Sequence, residues 1–279
     1  MNASMINAMV SMNALQQKLD LIADNIANVD TVGYKRKEAT FEDLLTNLKA
    51  QPETFQQPGR LTPLDFNQGW GARVTMIQPN LAQGPLKATG SATDIAIEGN
   101  ALFEVQVDQA GNRAYTRNGA FQLTVNAGGD TILTTEDGYP VIANVPLAGG
   151  GTAEQPVIVP EGFSLVVESD GTVLATSASE TRTLGRIKLL QASRPAALTP
   201  VADNLFAIAQ GINVDDVVQA VVPNADNRIS LRQGYLEQSN VQFADEMTEL
   251  ISVQRAYQLA ARALSSSDQM MGMANALRA

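Results

Sequence analysis

The apolar residues Met5, Ala8, Met12, Leu15, Leu19, Ile22, Ile26 and Val29 follow one another at steps of 3, 4, 3, 4, 3, 4 and 3. A strand would alternate with period 2, and a helix lying on a globule would show a broader stripe. The narrow, unbroken seam instead calls for a helix that meets another helix edge to edge. Gln16, Lys18, Asp20, Asp24 and Asn25 lie off the seam. The helix is expected to stop near Asp30 or Thr31, with Gly33 left-handed just beyond it. Lys35, Arg36 and Lys37 then form a solvated cluster past the negative end of the helix dipole. A lone helix of this length is marginal in water, so it must find a partner surface.

The expected partner is at the other end of the chain. Phe243, Met247, Leu250, Tyr257, Ala261, Leu264 and Met271 share a heptad-like face, with Gln254 and Asp268 as polar positions in register. Ser239 and Gln242 have the spacing of a capping box and would start that helix. Ala256, Ala260 and Ala263 permit close approach, and no proline follows Asn224. Two stripes packed separately on a β core, or a membrane-surface helix, are the competing readings. The first does not need so narrow a seam at both ends. The second has only Lys18 as a basic residue along the polar face of the first helix.

Between the ends, Thr40 and Asp43 predict the cap of a shorter helix, with Phe41, Leu44, Leu45 and Leu48 as its apolar face. Residues 51–72, rich in Pro, Gly and Gln and holding the single Trp70, read as an extended connector. Short runs then predict strands at 93–97, 103–107, 115–123, 131–134, 138–142, 157–159, 163–167, 172–175, 185–190 and 205–208. Gly111-Asn112, Gly128-Gly129, Asp137-Gly138 and Asp170-Gly171 mark turns between them. The reading is an α+β, multi-domain chain in which paired terminal helices form a coiled-coil-like stalk around an inserted all-β domain. The helical domain takes residues 1–36 with 235–279, a connector region takes 37–90 with 212–234, and the β domain takes 91–211.

Composition removes most chemistry. The 279 residues contain neither histidine nor cysteine, which excludes His-based triads, thiol chemistry, disulfides and ordinary zinc sites. A net charge of −10 argues against nucleic acid, which needs a basic face. Asp215-Asp216 and Asp245-Glu246 are adjacent acids of the kind expected to be solvated, not carboxylates set across a cleft. Gly149-Gly150-Gly151 lacks the spacing of a dinucleotide loop, and no phosphate loop or nucleophile elbow is present. No catalytic, metal or cofactor residue is therefore assigned, and an enzyme is not expected. No apolar stretch is long enough to span a bilayer. The first basic residue is Lys18, so a cleaved signal peptide is not expected either.

The residues from Ile22 to Lys35, Ile-Ala-Asp-Asn-Ile-Ala-Asn-Val-Asp-Thr-Val-Gly-Tyr-Lys, resemble the N-terminal signature of bacterial flagellar rod and hook proteins. Gln83–Gly90 with Thr93–Gly99 looks like that family's entry into its β domain, and Tyr115–Phe121 resembles its next shared block. Gln233–Val241 and Gln254-Arg255-Ala256-Tyr257 are similar to its C-terminal signature. The blocks span nearly the whole chain in the family's order, and resemble in particular distal-rod-type members and the rod/hook–basal-body proteins of Gram-positive bacteria. The resemblance implies a structural subunit that polymerises into a helical tube with copies of itself and other rod or hook subunits. It implies passage through the flagellar type III export apparatus and a place in the basal body outside the cytoplasm, without membrane insertion. Met5, Met12, Leu15, Leu19, Ile22, Ile26 and Val29 would then pack on Phe243, Met247, Leu250, Tyr257, Leu264 and Met271 of the same or a neighbouring subunit. Asn25, Asn28 and Thr31 are expected to satisfy backbone groups at the helix end, and Gly33 to supply positive φ. Tyr34 is either a core anchor or an intersubunit contact. The competing function is an exported adhesin or binding module on a helical oligomerisation stalk.

Overall fold

The computed structural model describes residues 3–43, 47–49, 66–68, 71–108, 111–126, 128–146, 151–177, 180–201, 204–209, 211–223 and 228–276. Its helices are α1 (Ala3–Ala27), the single turn α2 (Val214–Val217) and α3 (Phe243–Ala276). The chain divides into two compact units.

The helical unit comprises Met1–Ile26, Glu38–Ile77 and Phe243–Ala279. In it, Asn25 faces Glu246, Lys18 faces Glu249, and Leu15 shares a groove with Val253 and Ala256. Numbers fall along α1 as they rise along α3, so the two helices run antiparallel. The unit also holds strands β1 (Lys37–Asp43), β2 (Asn47–Lys49), β3 (Phe66–Gln68) and β4 (Ala72–Pro79), paired as β1–β4 and β2–β3. The helix predicted from Thr40 is thus a strand in its described part. Thr40 Oγ1 donates to the carbonyl of Met76, 36 residues on, instead of capping a helix. A partner strand so distant leaves no trace in local spacing, and Thr and Phe suit a strand as well as they suit a cap. Leu44, Leu45 and Trp70 lie outside the described residues, as does most of the 51–72 connector.

The globular unit comprises Ala27–Lys37 and Gln78–Gln242. Along the chain it forms β5 (Leu86–Ala88), β6 (Ile95–Glu98), β7 (Leu102–Gln106), β8 (Arg113–Thr116), β9 (Phe121–Val125), β10 (Thr131–Thr135) and β11 (Ile142–Pro146). There follow β12 (Thr152–Pro156), β13 (Ile158–Val159), β14 (Ser164–Val167), β15 (Thr172–Thr176), β16 (Thr181–Ile187) and β17 (Leu189–Ala192). The last are β18 (Leu198–Pro200), β19 (Leu205–Ile208), β20 (Val218–Val221), β21 (Ser230–Gln233) and β22 (Tyr235–Glu237).

A six-stranded sheet, β18-β19-β8-β7-β17-β20, is buried on both faces. Phe103, Ala114, Leu189 and Leu205 point into the main core, while their neighbours Leu102, Tyr115, Leu190 and Phe206 point into a second one capped by Val217 and Leu198. The period-2 alternation of side chains sorts the two sets. The main core also receives a five-stranded sheet, β12-β11-β16-β15-β14, and the smaller β13-β10-β9. Phe103 and Phe121 meet edge to face there, with centroids 5.0 Å apart. The single strand predicted over 115–123 is two strands, β8 and β9. Between them Gly119 passes so close to Ile95 that an added Cβ would lie 1.8 Å from its carbonyl oxygen. Two antiparallel pairs close the unit from the far end of the chain, β6 with β21 and β5 with β22.

Candidate functional site

In the helical unit, α1 keeps its predicted seam off the solvent without sealing it. Ile22 is fully buried; Met5, Met12, Leu15, Leu19 and Ile26 are partly buried, as is Val29, which lies beyond the helix in the globular unit. On α3 the covered face is Glu246, Leu250, Val253, Tyr257, Ala260, Leu264, Ser267 and Met271, again at alternating steps of 4 and 3. Leu250, Tyr257, Leu264 and Met271 were expected there. Phe243 and Met247 are instead 53% and 36% exposed, together with Ile251, Leu259, Met270 and Met273. Gln254 and Arg255 are exposed. Glu246, expected to be solvated, is buried, and the Asn25 amide donates to its carboxylate at 3.5 Å. Lys18 Nζ lies 2.6 Å from Glu249 and 5.4 Å from the centre of the Phe41 ring. The helix α3 begins at Phe243, later than the capping box implies. The Ser239 hydroxyl accepts the Val241 N–H and so folds a turn ahead of the helix.

In the globular unit the motif residues converge on Glu237. Its Oε1 accepts Lys35 Nζ at 2.7 Å and the Gly84 N–H at 2.7 Å; its Oε2 accepts Arg117 Nε at 2.5 Å. All three charged side chains are about 1% exposed. Arg117 spends its other nitrogens on the carbonyls of Ala101, Ile97 and Gly99, and Lys35 also donates to Ala82 O. Lys35 is therefore no solvated dipole partner. Burial pushes its pKa down to about 8, Arg117 adds to the fall, and Glu237 opposes it. The Glu237 carbonyl accepts the Gly33 N–H at 2.8 Å. Gly33 has φ +69°, as expected, and its missing Cβ would sit 2.5 Å from the Asn118 nitrogen. Asn240 Oδ1 takes the Arg36 N–H, while its amide donates to Asn80 O and Ala82 O. Tyr34 is 5% exposed, and Asn28 accepts the Thr31 hydroxyl. Sequence spacing marked Gly33 but gave no sign of Arg117 or Glu237 as partners.

A second ionic cluster lies on β7, β8 and β12. Buried Glu104 pairs with Arg113 and Lys188, each at 2.8 Å, and Glu154 bridges the same two cations. Among the described residues no group of acidic side chains is arranged to hold a metal, and no helix is long and apolar enough to cross a membrane.

Three family models match the chain in order. Residues 5–35 match the flagella basal body rod protein model, 96–175 the flagellar hook protein FlgE/F/G D1 domain, and 232–277 the flagellar basal body rod FlgEFG protein C-terminal model. Lys35, Arg117 and Glu237 fall one in each. The chain is 33% identical to a flagellar basal-body rod protein FlgG of Borreliella burgdorferi, over 96% of this chain and 95% of that protein. It is 32% identical to the flagellar hook-basal body complex protein FlhP of Bacillus subtilis over 99% of both, and 31% identical to FlgG of the same organism over 96% of both. From these matches across its whole length, the chain belongs to the bacterial flagellar basal-body rod and hook protein family.

Proposed function

We propose that this chain is a non-catalytic subunit of the flagellar rod that polymerises through α1 and α3 into a helical tube. The observation that carries the reading is the set of large apolar side chains that α3 leaves uncovered. Phe243, Met247, Ile251, Leu259, Met270 and Met273 stand in solvent while a separate heptad face already packs within the unit. So many large apolar side chains standing outside the covered face are more than one helix of a monomer needs to expose. Head-to-tail repetition of such a contact, without closure, builds a filament. The partners are copies of this chain and other rod or hook subunits, and together the helices act as a coiled-coil-like stalk. Delivery through the type III export apparatus, without a cleaved leader, to the extracytoplasmic basal body completes the reading.

The test is Leu259→Asp combined with Met270→Asp. The purified variant should keep wild-type circular dichroism and melting, yet fail to restore motility or enter isolated hook–basal bodies. Normal incorporation would refute polymerisation through these side chains. Wild-type protein found on the cell surface but absent from isolated basal bodies would favour the adhesin reading instead.

A further inference from the structure

We propose that Glu237 is the latch that closes the globular unit, holding the segment after α1 in place only once the C-terminal third of the fold has arrived. The ladders of the six-, five- and three-stranded sheets all lie between Leu102 and Val221. None of their strand pairings uses residue 237. The rest of the unit is held differently. Segment 33–36 hangs on Glu237 and Asn240: Gly33 N–H goes to Glu237 O, Lys35 to its carboxylate, and Arg36 N–H to Asn240 Oδ1. Segment 80–86 hangs on the same two residues, through Gly84 N–H, Asn80 O, Ala82 O and the pairing of Leu86 with Glu237. Strand β6 has only β21 as its ladder partner, and Arg117 ties the turn after β6 to Glu237.

The electrostatics make the latch all-or-none. With Glu237 in place, two cations share one carboxylate and the nearby carbonyls. Without it, Lys35 and Arg117 face each other in a site about 1% exposed, an arrangement that strongly disfavours closure. The unit thus has two tiers of strand pairing, a sheet tier whose ladders end by Val221 and a latch tier of 33–36, 80–98 and 230–240 that lends Ile95, Ile97 and Leu231 to the main core. The closest precedent within the molecule, the Glu104 cluster, joins only residues of the sheet tier. In a chain emerging N-terminus first, the segment after α1 has only the Asn204 bond to Val32 O and the Asn80 bond to Arg36 O until residue 237 follows. That consequence for assembly rests on the rod reading; the latch itself does not.

The experiment is hydrogen exchange by mass spectrometry on the full chain, comparing wild type, Glu237→Gln and Glu104→Gln. In Glu237→Gln the amides of Gly33, Arg36, β5 and β6 should exchange about 100-fold faster or more, while β7, β8, β15 and β16 stay within roughly 3-fold of wild type. Glu104→Gln should leave Gly33 and Arg36 protected. A uniform rise over both tiers, an unfolded Glu237→Gln chain, or equal release by Glu104→Gln would overturn the latch. Lys35→Met, which keeps the Glu237–Arg117 pair, supplies an independent check. It should free Gly33 and Arg36 but not β5 and β6, and release of all four overturns the assignment equally.

Discussion

Lys35 Nζ lies 2.7 Å from Glu237 Oε1 across 202 residues of sequence, yet the lysine's pKa falls to about 8. Burial is the main cause, and the Arg117 guanidinium is the next. The site holds one positive charge more than its carboxylate can balance. An unfolded lysine keeps its proton to about 10.4. Between pH 8 and about 10 the unfolded chain therefore binds more protons than the folded one, and stability rises with pH. Above that window the buried Tyr115, pushed up to about 12 by burial and by Glu104, works in the opposite sense. Urea midpoints should increase from pH 8 to about 10, a gain of roughly 1–3 kcal/mol. Lys35→Met should flatten the profile in that window. A wild-type profile that falls there would show that ion-pairing, not desolvation, governs the lysine.

Gly33 carries two constraints at once, a left-handed backbone and a backbone neighbour where its Cβ would be. Gly129 shares the first constraint, at φ +88°, but has open space around it. The pair separates strain from close approach. Gly129→Ala should cost about 1 kcal/mol, the left-handed penalty alone. Gly33→Ala should cost about 3 kcal/mol or more, because Asn118 cannot retreat without disturbing Arg117 beside it. Equal losses in chemical denaturation would mean that the approach to Asn118 relaxes freely.

The sequence disclosed what is local and periodic. The α1 seam, the turn glycines and most strands of the globular unit are legible because a helix or hairpin writes its period into neighbouring residues. Gly33 was legible for the same reason. The Lys35–Arg117–Glu237 cluster was not, since charge pairing across 202 and 120 residues imposes no spacing. The inner face of α3 was half legible. Apolar residues lie around much of that helix, and the covered face includes Glu246, which reads as a solvated residue. Phe243 and Met247 continue the apolar pattern but stand exposed, so periodicity alone could not say which stripe meets α1. The strand at Thr40 was hidden by a cap-like spacing that its distant partner overrides.

Glu246 and Asn25 put a buried polar pair inside the helix contact. Such a pair is a poor source of stability, because its desolvation offsets what its hydrogen bond returns. It contributes to register, since sliding α3 by one heptad would part the carboxylate from the Asn25 amide and carry it to Lys18, breaking the Lys18–Glu249 pair. Replacing the pair together, Asn25→Leu with Glu246→Leu, should therefore leave the helical unit as stable as wild type, or stabilise it by up to about 2 kcal/mol. The same change should blur assembly, giving filaments of mixed diameter or several oligomers where wild type gives one. Negative-stain microscopy and analytical ultracentrifugation would read that outcome. A loss of about 3 kcal/mol with uniform assembly retained would make the pair a stabilising one, and register would have to be set by the apolar packing of Ile22, Val253 and their neighbours.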